Sequence, residues 1–330
     1  MTDSSGESPV NFRETINSSS CVFVIGVAGD SGSGKTTFTR AIRSIFGKDM
    51  VSTISLDDYH TLDREERKKT GITPLSPKAN NFSLLEEHVK LLKQGKTVEK
   101  PVYNHDSGKI EGPVRFSPSG IIILEGLHPL YTEKLRSLVE FSIYVNPADD
   151  VKYAWKINRD VELRGYREED VLAELESRKA DYENYVLPQR NYADAVIGIT
   201  KSRYADIMNE RGVYRVVLYQ KKQDRTIRNI NLNFDLFAIN SMSERSFSFD
   251  FDVIEKSGRK LGALSLDGEF RHEVVHLLEK GIEMQTGIGP VSVYSDRSYV
   301  TATEMVELLL SWRIINRRMD LNYGSGCISS

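Results

Sequence analysis

The feature that most limits what this chain can fold into is a short loop near its start. The apolar run Val22–Val27 passes into Gly29-Asp30-Ser31-Gly32-Ser33-Gly34-Lys35-Thr36, which satisfies GxxxxGK[ST] at every fixed position, and a helical pattern, Thr37–Phe46, follows. Strand, glycine-rich loop and helix in that order make a phosphate cradle. Glycines let the backbone approach closely, successive N–H groups and the helix N-terminus point at the anion, and Lys35 adds a point charge at the β and γ oxygens. The nucleotide-binding set is therefore Gly29, Asp30, Ser31, Gly32, Ser33, Gly34, Lys35, Thr36 and Thr37, with ATP as the cofactor and the Thr36 hydroxyl as a Mg²⁺ ligand. On its own the loop leaves open where the γ-phosphoryl goes.

Around it, apolar runs alternate with helical patterns: Val51–Leu56, Ile121–Leu124, Phe141–Val145 and Ala195–Ile199 as strands, Leu84–Leu92 and Val151–Leu163 as helices. That order predicts an α/β fold, a doubly wound, mainly parallel sheet with helices on both faces, over residues 21–204. Beyond about Tyr204 the pattern turns β-rich (Tyr214–Tyr219, Ile230–Ile239, Ser246–Ile254, Lys260–Leu266), with helical stretches near Arg271–Lys280 and Glu304–Arg317. A smaller α+β unit over 205–330 is expected, serving dimerisation or extending the sheet. The polar start, residues 1–20, reads as a mobile tail.

Composition narrows the partners. The 330 residues are 39% hydrophobic and 28% charged with a net charge of −3, which gives no electrostatic case for nucleic acid. No apolar run approaches the ~20 residues of a membrane span, and the start has no hydrophobic signal core, so a cytoplasmic protein is expected. Its two cysteines, Cys21 and Cys327, lie far apart in sequence and read as unpaired in a reduced compartment.

In a doubly wound sheet the carboxyl ends of the strands face the ligand crevice. The second strand ends in Leu56-Asp57-Asp58-Tyr59-His60, and a carboxylate there can orient an acceptor hydroxyl and take its proton during phosphoryl transfer. Neighbouring strand residues point to opposite sides, so one of Asp57 and Asp58 is expected to do this. The third strand delivers Glu125, in the place of a Mg²⁺-linked acid. Arg64, Tyr103, His105, His128, Lys156, Arg159 and Arg164 suit a phosphorylated acceptor, since Arg offers a planar fork to phosphate and His can bond hydroxyls. Lys156 and Asp160 share a helix face at i,i+4, as do Asp160 and Arg164, whereas Arg159 points elsewhere if the helix continues. Gly165 is a helix stop, and the charged stretch Tyr166–Arg190 reads as a lid. His272-Glu273-Val274-Val275-His276 matches HExxH, but no third ligand is evident, and it reads as an amphipathic helix with two polar-face histidines.

With these residues in hand, the chain resembles the phosphoribulokinases, within the phosphoribulokinase and uridine kinase group, over roughly Val22–Ile199. The resemblance rests on Gly29–Thr36, Leu56–His60 with Leu62-Asp63-Arg64, Ala79–Phe82, Val98–His105, Glu125–Pro129, Ala154–Ile157, Arg159-Asp160, Arg164-Gly165, and Pro188-Gln189 with Tyr192–Ala195. It implies transfer of the ATP γ-phosphoryl to ribulose 5-phosphate, with Asp57 as base and Lys35 at the phosphates. His60, Arg64, His105, Lys156, Arg159 and Arg164 would bind the sugar phosphate, Glu125 would be the metal-linked acid, and Asp160 a further active-site carboxylate. It also implies a homodimer. Plant-type members carry regulatory cysteines in the loop and just before the acid pair; here those positions are Ser33 and Ser55, so thioredoxin-type disulfide control through that pair is not expected.

Overall fold

A computed structural model describes residues 11–19, 21–205, 212–221, 244–256, 258–288, 294 and 297–323. The strand expected at Ile230–Ile239 lies outside the described residues. After a short helix α1 (Phe12–Asn17), the chain forms β1 (Phe23–Gly29), α2 (Lys35–Phe46), β2 (Val51–Ser55), α3 (Arg64–Thr70) and α4 (Phe82–Lys93). A hairpin of β3 (Val98–Asn104) and β4 (Lys109–Phe116) precedes β5 (Ile121–Gly126), α5 (Glu133–Leu138), β6 (Phe141–Pro147) and α6 (Asp149–Ile157). Then come α7 (Glu168–Ser177), β7 (Ala195–Lys201), β8 (Tyr214–Lys221), β9 (Phe247–Lys256), β10 (Arg259–Arg271), α8 (His272–Thr286), β11 (Tyr299–Thr301) and α9 (Ala302–Tyr323).

The main sheet runs β11-β10-β8-β7-β6-β1-β5-β2, with β9 paired to β10. The pairings from β2 through β5, β1 and β6 to β7 are all parallel. The pattern on β1 shows why: Phe23, Ile25 and Val27 enter an apolar cluster with α2 and α9, while Val24 enters another with α4. A strand covered on both faces needs apolar residues at consecutive positions, and burying each such side chain contributes ~1.5–3 kcal/mol.

β8 pairs antiparallel with β7, Ala195 opposite Gln220 through Lys201 opposite Tyr214, so the later strands continue the same sheet. One apolar cluster runs from Phe12 to Met319 through Ile25, Val216 and Val306. The expected tail is partly structured: Asn11 caps α1, and Phe12, fully buried, stacks on Phe46 at 5.4 Å. The apolar face Phe12/Ile16 outweighs the polar residues around it. Cys21 is disulfide-bonded, which corrects the expectation of unpaired thiols; Cys327 lies outside the described residues. Among the described residues no helix is long and apolar enough to cross a membrane.

Candidate active site

The loop between β1 and α2 has left-handed backbone at Gly32 (φ +77°) and Gly34 (φ +89°), and a Cβ on Gly34 would lie 3.1 Å from the Trp155 ring. Glycine is required there for both reasons. The buried Lys35 ammonium donates to the Asp30 carbonyl oxygen at 2.6 Å. Burial pushes its pKa below the ordinary lysine value, against the opposing pull of Glu125, Asp30 and Asp57. The Thr36 hydroxyl donates to Glu125 Oε1 at 2.7 Å, and the parallel register sets Glu125 beside Val27 on β1 and Ser55 on β2. Ser33 Oγ is buried with no hydrogen-bond partner among the described residues.

Two further residues brace this loop. The Asp30 carboxylate accepts a hydrogen bond from Arg178 at 2.6 Å and lies 3.4 Å from Lys152, all three being buried. Arg178 comes from the stretch expected to be a lid. There α7 buries Val171 and Leu175, and Arg178, directly after it, reaches the loop through Asp30. Neither Lys152 nor Arg178 was legible in the sequence, because each looks like an ordinary helix-surface charge.

The acid pair separates cleanly. β2 ends at Ser55, and Leu56–Tyr59 form a 3₁₀ turn, so the two carboxylates diverge through turn geometry rather than strand alternation. Asp58 is buried, accepting from Lys100 Nζ at 2.5 Å and from the Tyr103 backbone N–H at 2.9 Å. Asp57 lines the cleft with its side chain 32% exposed, 3.6 Å from His105 Nε2 and 3.8 Å from His60 Nε2. Both distances exceed a good hydrogen bond, so the Asp57 oxygens are available to an incoming hydroxyl.

Around Asp57 stand the rings of His60, Tyr103 and His105, with Tyr103 edge-on to both histidines at 5.3 and 5.1 Å. His60 Nδ1 donates to Asn80 Oδ1 at 3.2 Å, and burial lowers its pKa despite Asp57 nearby. α3 begins with Asp63 and Glu66 in a reciprocal cap, which projects Arg64 onto the His105 carbonyl oxygen at 2.5 Å. Arg67, one turn later and not anticipated, donates to the Tyr103 hydroxyl at 2.8 Å.

On the other wall, Asp160 is enclosed by three cations. It accepts from Lys156 at 2.7 Å, Arg159 at 2.8 Å and Arg164 at 3.2 Å. Burial works against its charge, yet the hydrogen bonds from Arg159 and Lys156 outweigh burial and hold the carboxyl down at about 2. Arg159 was expected to point elsewhere only if the α-helix continued, and it does not continue. Asn158–Leu163 wind as a π-helical turn, which swings Arg159 towards Asp160 and brings it within 3.3 Å of Ser31 Oγ in the phosphate loop. Gly165, at φ +71°, ends the helix as expected.

These groups line one cleft of about 1910 Å³ that joins the phosphate loop to Asp57, Glu125, Arg64, Lys156, Arg159 and Arg164. His128 is not among its walls. It is 1% exposed, its Nε2 donates to the Leu75 carbonyl oxygen at 2.8 Å, and burial drives its pKa down to about 4. A neutral, fully bonded imidazole of this kind serves packing, which corrects the expectation that it touches substrate.

The profile of the "Phosphoribulokinase / Uridine kinase family" matches residues 24–204. A phosphoribulokinase from Synechocystis sp. is 46% identical over 201 residues, 61% of this chain and 60% of that protein. A chloroplastic phosphoribulokinase from Triticum aestivum is 39% identical over 272 residues, 75% of this chain and 67% of that one. The match to the first relative thus spans less than two thirds of its length. Among solved structures, a phosphoribulokinase from Rhodobacter spheroides superposes with a TM-score of 0.54 at 16% identity, covering 91% of this chain and 100% of that chain, a likeness of fold. Since the profile takes in the phosphate loop, the Asp57 turn, Glu125 and the Asp160 cluster together, this chain belongs to the phosphoribulokinase and uridine kinase family.

Proposed function

We propose that this chain is an ATP-dependent kinase that phosphorylates the 1-hydroxyl of ribulose 5-phosphate, yielding ribulose 1,5-bisphosphate and ADP. The observation that carries the reading is the division of the acid pair: Asp58 is locked by Lys100, while Asp57 faces the cleft shared with Lys35, Thr36 and Glu125. In that position Asp57 accepts the proton of the acceptor hydroxyl as its oxygen attacks phosphorus, and Lys35 meets the charge on the transferred group. Arg64, Arg67, Arg159 and Arg164 line the same cleft and suit an acceptor that carries its own phosphate.

The Thr36 hydroxyl and the Glu125 carboxylate, 2.7 Å apart, are hard oxygen donors of the kind that suits Mg²⁺. They would hold the ion that neutralises the β and γ oxygens of ATP. The test is acceptor choice: purified chain with ATP and Mg²⁺ should phosphorylate ribulose 5-phosphate far better than uridine. Preference for uridine would overturn the acceptor and leave the kinase chemistry standing.

A further inference from the structure

Away from the kinase cleft, α8 carries a group of side chains that the proposed reaction does not use. His272, His276 and Glu279 recur at intervals of four and three residues, which puts them on one helix face. The motif read from sequence lacked a third ligand, and the structure supplies it in Glu279. One ligand atom from each of the three lies within 4.8 Å of the other two. Glu279 Oε2 is 3.5 Å from His272 Nε2 and 3.4 Å from His276 Nδ1.

Those two distances are long for a charge-assisted hydrogen bond, which closes to ~2.7–2.9 Å. They match the edge of a coordination tetrahedron: bonds of ~2.0–2.1 Å to nitrogen and oxygen set neighbouring ligands about 3.3–3.4 Å apart. The Glu279 side chain is 0% exposed. Its Oε1 and His272 Nε2 are both buried without a hydrogen-bond partner among the described residues. A buried carboxylate left in this state is costly unless a cation satisfies it.

We propose that His272, His276 and Glu279 form a binding site for a divalent first-row transition ion of the Zn²⁺ class, held by two imidazoles and one carboxylate. The fourth position opens towards solvent beside His276, whose side chain is 43% exposed, and a water would complete it. Glu273, which a hydrolytic HExxH site would use as base, is 56% exposed and paired with Arg271 at 3.5 Å. The ion is therefore structural, clamping the first two turns of α8. None of the three ligands lines the kinase cleft, so this metal is separate from the Mg²⁺ of phosphoryl transfer.

The test uses the full chain stripped with EDTA and dialysed against buffered free Zn²⁺, with bound metal measured by atomic emission. Wild type should take up about one equivalent, and its melting midpoint should rise by roughly 5 °C at a hundredfold excess over Kd. His276→Ala, at a half-exposed position, should keep the fold and weaken binding at least ~100-fold, since loss of second-layer support alone can cost that much. Glu273→Gln should bind as wild type. Co²⁺ in place of Zn²⁺ should give the visible bands of a four-coordinate site in wild type and lose them in His276→Ala. Zinc uptake that survives His276→Ala, or no uptake at micromolar free Zn²⁺ by folded wild type, would overturn the proposal.

Discussion

Replacing Asp57 and Asp58 singly by Asn should produce opposite phenotypes, although the residues are adjacent and chemically identical. Asp57 is 32% exposed and its nearest ring nitrogens stand at 3.6 and 3.8 Å, so the amide costs the fold within about ±0.5 kcal/mol. It does remove the proton acceptor. The loss in kcat should be roughly 10²–10⁴, or about 2.7–5.4 kcal/mol of barrier, with little change in ATP affinity. For Asp58 the ledger is structural: the carboxylate is 11% and Lys100 9% exposed, at 2.5 Å. Removing the charge strands a buried ammonium and should cost about 3 kcal/mol of stability. Initial rates per folded molecule, taken with urea unfolding curves for both variants, separate the two effects. If Asp58→Asn loses more kcat than Asp57→Asn while unfolding like wild type, Asp57 is not the base.

His128 supplies a pH prediction. Its pKa is lowered from 6.5 to about 4 by burial, so the unfolded chain binds the proton more readily. Its stabilising contribution is complete above pH ~6.5 and disappears as pH falls towards ~4; the span corresponds to about 3 kcal/mol. In His128→Gln the pH dependence of unfolding free energy across that window should be shallower, and an unchanged slope would count against a buried neutral imidazole. For Arg178→Ala, loss of the 2.6 Å contact leaves the buried Asp30 carboxylate with Lys152 as its one ion-pair partner among the described residues, beside the hydrogen bond from the Ser31 backbone N–H. The variant should be about 3–5 kcal/mol less stable and bind ATP more weakly in calorimetry; wild-type values for both would show that the brace is idle.

What could be read in the sequence was whatever the backbone encodes locally. Gly32, Gly34, Lys35 and Thr36 sit within one turn of each other, and the loop's chemistry follows from their order. The strands Ile121–Leu124 and Phe141–Val145 were legible because both faces of each are buried. Legibility failed where a role depends on a distant partner. Asp58 is fixed by Lys100, 42 residues away, and His128 by the Leu75 carbonyl, 53 residues away. The direction of Arg159 is set by a π-helical turn rather than continued α-helix, which spacing alone does not signal. The β3–β4 hairpin gave little signal, since Pro101 interrupts one strand and the other is almost wholly exposed.

The family profile stops at residue 204, whereas the sheet goes on through β8 and β10. A cut at that seam would leave the hydrogen-bonding edge of β7 bare and uncover α2 where α9 now lies. The shortened chain would present a sticky ribbon and an open greasy flank to every other copy in solution. The end of the profile match thus falls inside one continuous sheet, between β7 and β8. On this reasoning the strands and helix beyond residue 204 shield the phosphate-handling half from association with other copies.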